Sequence, residues 1–366
     1  MKEYFFAGTY TEPILFGTGE VFPGKGKGVY LCSLENGKVE TLDLLAMRNP
    51  SFLCVNEEKK KVYAVNETKE YDGAFGGGVT QLSYGGEKLA AECSLPTGGT
   101  DPCHIALSPN GKFLSVANFA SGSVSIFPID EKGDLTRSRQ LIEHEGHSVN
   151  PKRQAGPHAH ATVFHPGENL MFVPDLGIDR VKAYRYEEER VFAAPEYDIA
   201  VPPGSGPRSG EFSRDFRFFY LINEISSEVS WFECVKGRMK LIGCAQTLPK
   251  GTEKSKNICS DLHLSPDGKY LYASNRGHDS ICCFAVGADG GLTLLSRVPC
   301  GGRTPRNFAV TPSGRGILVG NQDSDTLAEF RVGKEGALSL SGRSDFPSPV
   351  CIRFLRDAGG MQQSCS

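Results

Sequence analysis

A few residues in this chain have the types and positions to handle protons and bind anions. GPHAH holds His158 and His160 two residues apart. On a strand, such a pair points both rings to one face. The pair can supply a base or half of a metal site, but no third ligand is evident, so no metal is expected. Glu224 ends the apolar run YLINE, where no solvent-facing charge is needed, and Arg208 stands 16 residues before it. A guanidinium beside a carboxylate keeps it ionised, and the two together can face an anionic ligand. Arg276 in NRG and Arg306 in TPR add two more cations, while Glu67, Asp175, Asn275 and Gln322 stand at comparable positions. Each has a structural alternative. Arg306 can serve in a structural salt bridge, the terminal Asn and Asp residues can cap turns, Asp175 and Asp179 can shape a turn, and His165 precedes a turn proline.

The elements that must position these residues are repeats. Six segments share one pattern: a start that is usually Pro, an apolar alternating run, a short turn, and a second apolar run ending in Asn or Asp. DPCHIALSPNGKFLSVANF, CSDLHLSPDGKYLYASNRG and TPRNFAVTPSGRGILVGNQ are the clearest copies. NPSFLCVNEEKKKVYAVNE and GPRSGEFSRDFRFFYLINE are two more, and GPHAHATVFHPGENLMFVPDLG carries two extra residues near its start. Pro50 to Asn66, Pro102 to Asn118, Pro207 to Asn223 and Pro305 to Asn321 each span 16 residues. The terminal positions step by 52, 57, 48, 52 and 46 residues. In the fifth unit the strands read as Asp261 to Ser265, Tyr270 to Ser274, Ser280 to Val286 and Leu292 to Val298. A period near fifty residues with four short strands per unit predicts a propeller. The seventh unit is split: FPSPVCIRFL resembles a first strand and YFFAGTYT a second, with Gly8 in place of Asn. Pairing them closes the ring and removes exposed sheet edges. The expectation is therefore an all-β, seven-bladed propeller of four antiparallel strands per blade. It forms one domain over residues 1–366, with residues 357–366 a loose tail.

At the mouth of such a ring, equivalent positions of successive blades converge. His158, His160, Arg208 and Arg306 follow unit starts, whereas Glu67, Asp175, Glu224, Arg276 and Gln322 lie at or just after unit ends. Arg306, Asp175, Asn275 and Gln322 are on this logic candidates for substrate contact.

Lys and Arg total 40 against 43 Asp and Glu, so no global charge advertises nucleic acid or membrane as a partner. The apolar run at Tyr4 to Ala7 is too short for a signal-peptide core, and no stretch approaches a membrane span. A cytoplasmic protein is expected. Its 12 cysteines fall mostly in apolar strands without C-x-x-C spacing. They read as reduced small hydrophobes and not as a disulfide framework.

With GTYT, PHAHATVFHP, VPDLGIDRV, GSGPR, NE, SPDGKYLYASNRGHDSI and TPRNFAVTPSGRGILVGNQDSDTL, the chain resembles the seven-bladed lactonase family from about residue 4 to 355. That family contains cycloisomerase-type 6-phosphogluconolactonases and 3-carboxy-cis,cis-muconate lactonizing enzymes. The resemblance implies an enzyme that makes or opens lactones of small anionic substrates without a cofactor. It also implies a catalytic set of one His, two Arg and one Glu, matching His158 or His160, Arg208, Arg276 and Glu224. The family commonly has His after GPR, and Ser209 stands there in this chain. Three readings follow: a 6-phosphogluconolactonase-like hydrolase, a lactonizing enzyme or cycloisomerase, and a non-catalytic binding platform.

Overall fold

A computed structural model describes residues 2–187 and 190–356. The expected tail, 357–366, lies outside the described residues. Seven antiparallel sheets form a ring, each with four strands running outward from the axis. Blade 1 starts at Leu53–Asn56, blade 2 at Pro102–Leu107 and blade 3 at Val163–Phe164. Blades 4, 5 and 6 start at Pro207–Phe212, Ile258–Leu264 and Pro305–Val310. Blade 7 is assembled from both ends of the chain, in the order Pro349–Phe354, Glu3–Thr9, Gly28–Glu35, Lys38–Ala46. Its two halves meet in register, with Phe5 opposite Phe354 and Gly8 opposite Cys351. Gly8 is required there: a Cβ would lie 2.1 Å from the carbonyl oxygen of Pro50. Blade 3 carries an extra strand, Ile199–Ala200, on its third strand.

The repeats form strands because apolar residues alternate or run continuously between turn residues such as Pro266-Asp267-Gly268. The second strand of each blade is buried on both faces, as in Phe218–Asn223. Outer strands alternate, as Arg238–Gln246 does. The core lies between blades. Phe172, Phe212, Phe219 and Phe232 pack blade 3 onto blade 4, and each fully buried ring contributes about 1.5–3 kcal/mol. Tyrosines of second strands tie neighbours together: Tyr63 donates to the Gly133 carbonyl at 2.5 Å, and Tyr220 to that of Gly290 at 3.1 Å.

Two local expectations are corrected. The first strand of blade 5 begins at Ile258, not Asp261, because a bulge at Ser260 and Asp261 interrupts it without ending it. Asp175 caps its own turn as expected, accepting from the Gly177 N–H at 2.9 Å, but the terminal Asn residues do not: Asn118 and Asn223 donate to serines of their own third strands. Asn66, Asn275 and Asn321 are buried and donate to the carbonyls of Arg48, Thr247 and Cys300, in segments leading from the preceding blade. They fasten blade to blade.

Candidate functional site

A repeated bulge builds the floor of the site. Pro102, Pro207 and Pro305 pair with Asn118, Asn223 and Asn321, and the ladder resumes at His104, Ser209 and Asn307. Cys103, Arg208 and Arg306 are the extra residues. A bulge re-aims its side chain, and here all three turn into the channel, where they line one small chamber. In blade 3 the bridge to Asp175 is made by Ala159. His160 therefore takes the bulge position and joins the same chamber.

A second tier comes from the residues that follow the terminal Asn or Asp. Glu67, Phe119, Glu224 and Gln322 each donate their backbone N–H to the loop before the inner strand, at Asn49, Asp101, Gly206 and Thr304, over 2.7–3.0 Å. Together with Arg276 they line a cavity of about 750 Å³ at the mouth of the channel, within the roughly 300–1,000 Å³ typical of small-molecule sites.

Glu224 is the centre of this cavity's charge. It is 3% exposed. Its carboxylate accepts from Arg153 Nη2 at 2.5 Å and from Arg276 Nη2 at 2.8 Å. Arg208 Nε lies 3.0 Å away but is not aligned for a hydrogen bond, and His160 Nε2 lies at 3.7 Å. Burial alone would raise the Glu224 pKa, but the charges of Arg276, Arg153 and Arg208 outweigh it and hold the carboxyl well below its usual range. Burial and the surrounding guanidiniums lower Arg276 to about 9, still protonated at neutral pH. Burial, reinforced by Arg208, takes His160 well below its ordinary value. The imidazole is thus neutral, with Nδ1 3.6 Å from the Cys103 sulfur. Burial pushes the Cys103 thiol up, so it is no thiolate.

Arg306 is held differently. Its guanidinium lies 5.1 Å from the ring centres of both Tyr10 and Phe16 and makes no ion pair among the described residues. Tyr10 in turn donates to Glu67 at 3.0 Å. Phe16 belongs to a hairpin, Ile14–Leu15 with Val21–Phe22, that forms an apolar wall over the cavity.

The structure thus gathers His160, Glu224, Arg276, Arg306 and Gln322 around the cavity, with Arg208 beneath. Three expected residues fall outside it. His158 sits on the connecting loop, stacked on Phe119 with centroids 4.6 Å apart and its Nδ1 3.0 Å from the Phe119 carbonyl oxygen. Asp175 is fully buried. It binds His144 Nδ1 at 2.6 Å and the backbone N–H groups of His158 and Gly177. Asn275 is fully buried and accepts from Thr247 at 2.7 Å. Neither has surface left for a ligand. Arg153, which sequence reasoning passed over, reaches Glu224 from the irregular segment between Gln140–Glu143 and Val163–Phe164. Among the described residues no cluster of three or more His, Cys, Asp or Glu side chains is arranged to hold a metal ion.

The family model "Lactonase, 7-bladed beta-propeller" matches residues 4–354. A 6-phosphogluconolactonase of Formosa agariphila is 33% identical, covering 79% of this chain and 83% of its own. That of Bacillus subtilis is 29% identical, covering 83% of each. The solved periplasmic gluconolactonase of Pseudomonas aeruginosa superposes with a TM-score of 0.88 at 32% identity, covering 97% of this chain and 99% of that one.

Proposed function

Because the chain belongs to the seven-bladed β-propeller lactonases, we propose that it hydrolyses a sugar lactone, with 6-phosphogluconolactone the first substrate to test. The observation that carries this reading is the gathering of Arg153, Arg208 and Arg276 on the single carboxylate of Glu224, beside a neutral His160. Three guanidiniums on one carboxylate leave positive charge over, and Arg306 adds to it. The cavity therefore favours an anion and, more strongly, a transition state that gains an oxyanion.

In the proposed reaction His160, unprotonated, takes a proton from water as the water attacks the lactone carbonyl carbon. Guanidinium N–H groups accept the charge developing on the carbonyl oxygen, and Arg306 holds the anionic end of the substrate. Glu224 stays ionised throughout. Its task is to hold the three arginines in place and to favour the imidazolium that forms at 3.7 Å. The reaction as drawn uses only protein groups and water, so a chelator should leave the rate unchanged. Among the described residues eleven cysteines are unpaired, which supports a reducing compartment as the working location. A recessed cavity lined with paired charges also supports an enzyme over a binding platform, which works through exposed surface.

The test is acid release from freshly made 6-phosphogluconolactone, corrected for spontaneous hydrolysis. Catalysis that saturates with substrate and is lost in His160→Ala supports the reading. No acceleration of this lactone or of gluconolactone refutes it.

A further inference from the structure

Opening a lactone also requires a proton at the ring oxygen, which leaves as an alkoxide; the imidazolium formed on His160 is one donor, and an acid from another blade would deliver the proton without His160 having to serve both oxygens. Glu224 is pinned as a carboxylate by guanidiniums, and His160 begins unprotonated. Of the other carboxyls that line the same cavity, Glu67 and Asp101 are buried. Glu67 is 6% exposed and makes no ion pair among the described residues. Its Oε2 accepts from Tyr10 at 3.0 Å. Its surroundings differ from those of Glu224 in kind. Tyr10 comes from the closing blade, Cys103 and Asp101 from blade 2, and Arg306 from blade 6, each near enough to bear on its charge. Asp101 has its own cation, with Lys69 at 3.7 Å.

We propose that Glu67 is a further catalytic residue, the carboxylic acid that protonates the leaving ring oxygen. The inference rests on the lactonase reading. Water adds to the carbonyl carbon as His160 takes its proton. When the tetrahedral intermediate collapses, the electron pair of the carbon–ring oxygen bond goes to oxygen, and the Glu67 proton follows it. The product is a hydroxy acid, and the proton on His160 returns to Glu67 through solvent. Burial, with Asp101 adding to it, raises the Glu67 pKa over the opposing pull of Arg306 and of the Ser51 and Tyr10 hydroxyls, which is the direction an acid requires.

The experiment compares two δ-lactones that differ in leaving group. Gluconolactone departs as an aliphatic alkoxide, whose acid has a pKa near that of water at about 16. Dihydrocoumarin departs as a phenolate, whose acid has a pKa of about 10, and needs no proton. Glu67→Gln should lower kcat on gluconolactone by about 10²- to 10⁴-fold and on dihydrocoumarin by about threefold or less. Tyr10→Phe removes a hydrogen bond that favours the Glu67 carboxylate. It should therefore move the alkaline limb of the gluconolactone pH profile upward, a shift that a purely structural role would not produce. Equal losses on both lactones, or no loss on either, overturn the acid role, as does an unmoved alkaline limb in Tyr10→Phe. If the wild type accelerates neither lactone nor 6-phosphogluconolactone, the lactonase reading itself fails, and this inference with it.

Discussion

Glu224→Gln keeps the side chain's size and removes one negative charge from a place where three guanidiniums meet. In the native site that charge faces nitrogens of Arg153 at 2.5 Å, Arg276 at 2.8 Å and Arg208 at 3.0 Å. Removing one partner of a buried ion pair costs about 3–5 kcal/mol. The Arg153 side chain is 14% exposed and borders the open cavity, so water relieves part of the repulsion and a cost of about 3 kcal/mol is expected. Calorimetry should therefore find a thermal midpoint lower by roughly 4 °C, because a single domain of 366 residues has an unfolding entropy of about 0.77 kcal/mol/K. The sign with pH follows from linkage. The folded pKa of Glu224 lies below its unfolded value of about 4.5. Its stabilisation is full above that pH and is lost as pH falls through the folded value. The gap between wild type and variant is thus widest at neutral pH and closes in acid. Inorganic phosphate should restore the variant more than the wild type, because it replaces the missing charge. At a hundred times its dissociation constant, a ligand contributes about 2.7 kcal/mol. Turnover of the lactone should fall by about a hundredfold or more, with no weakening of anion binding. A variant with the wild-type midpoint at neutral pH and no added response to phosphate would refute the reasoning, since it would mean that Glu224 does not neutralise these arginines.

Arg276→Lys keeps the charge but not the planar fork. It should lower kcat/KM by about thirty- to a thousandfold, or roughly 2–4 kcal/mol, while Arg306→Lys, whose partners are aromatic rings, should act mainly on KM for the phosphorylated lactone. Deleting residues 1–11 removes the strand Glu3–Thr9 from between its two neighbours and should abolish cooperative unfolding of the ring; an unchanged thermal midpoint would contradict closure at this seam. Alkylation of the unfolded chain without reductant, read by mass spectrometry, should modify the 11 cysteines described as free, and several protected pairs would place the protein in an oxidising compartment.

The propeller was legible because its signal is a count. The 16-residue interval from Pro to Asn is the length of two strands and a turn, and it recurs regardless of what the blade carries. The same count distinguishes the two histidines: 16 residues before Asp175 stands Ala159, so His160 takes the bulge and His158 the loop. Asp175 and Asn275 lie outside the cavity for a reason of strand geometry. Neighbours on a strand face opposite ways, so of Asn275 and Arg276 only one can look into the cavity, and that one is Arg276. Arg153 left no signal at all. It belongs to an irregular connection with no counterpart in other blades, and repeat logic cannot see a residue that occurs once. Tyr10 and the Phe16 hairpin escaped for the same reason, as an insertion within the closing blade.

The seam in blade 7 also has a consequence in time. Among the strands of the ring, Glu3–Thr9 is synthesised before the others and Pro349–Phe354 after them, yet each completes the other's sheet. Pairings between such distant segments are slow to form. Until the final strand leaves the ribosome, the first has only Gly28–Glu35 beside it. Tyr10, which touches both Glu67 and Arg306, comes just after that first strand. A nascent chain holding blades 1 to 6 would therefore carry Glu224 and its arginines but an unfinished wall. Lactone hydrolysis is therefore expected only once Pro349–Phe354 has paired with Glu3–Thr9 and fixed the wall that carries Tyr10.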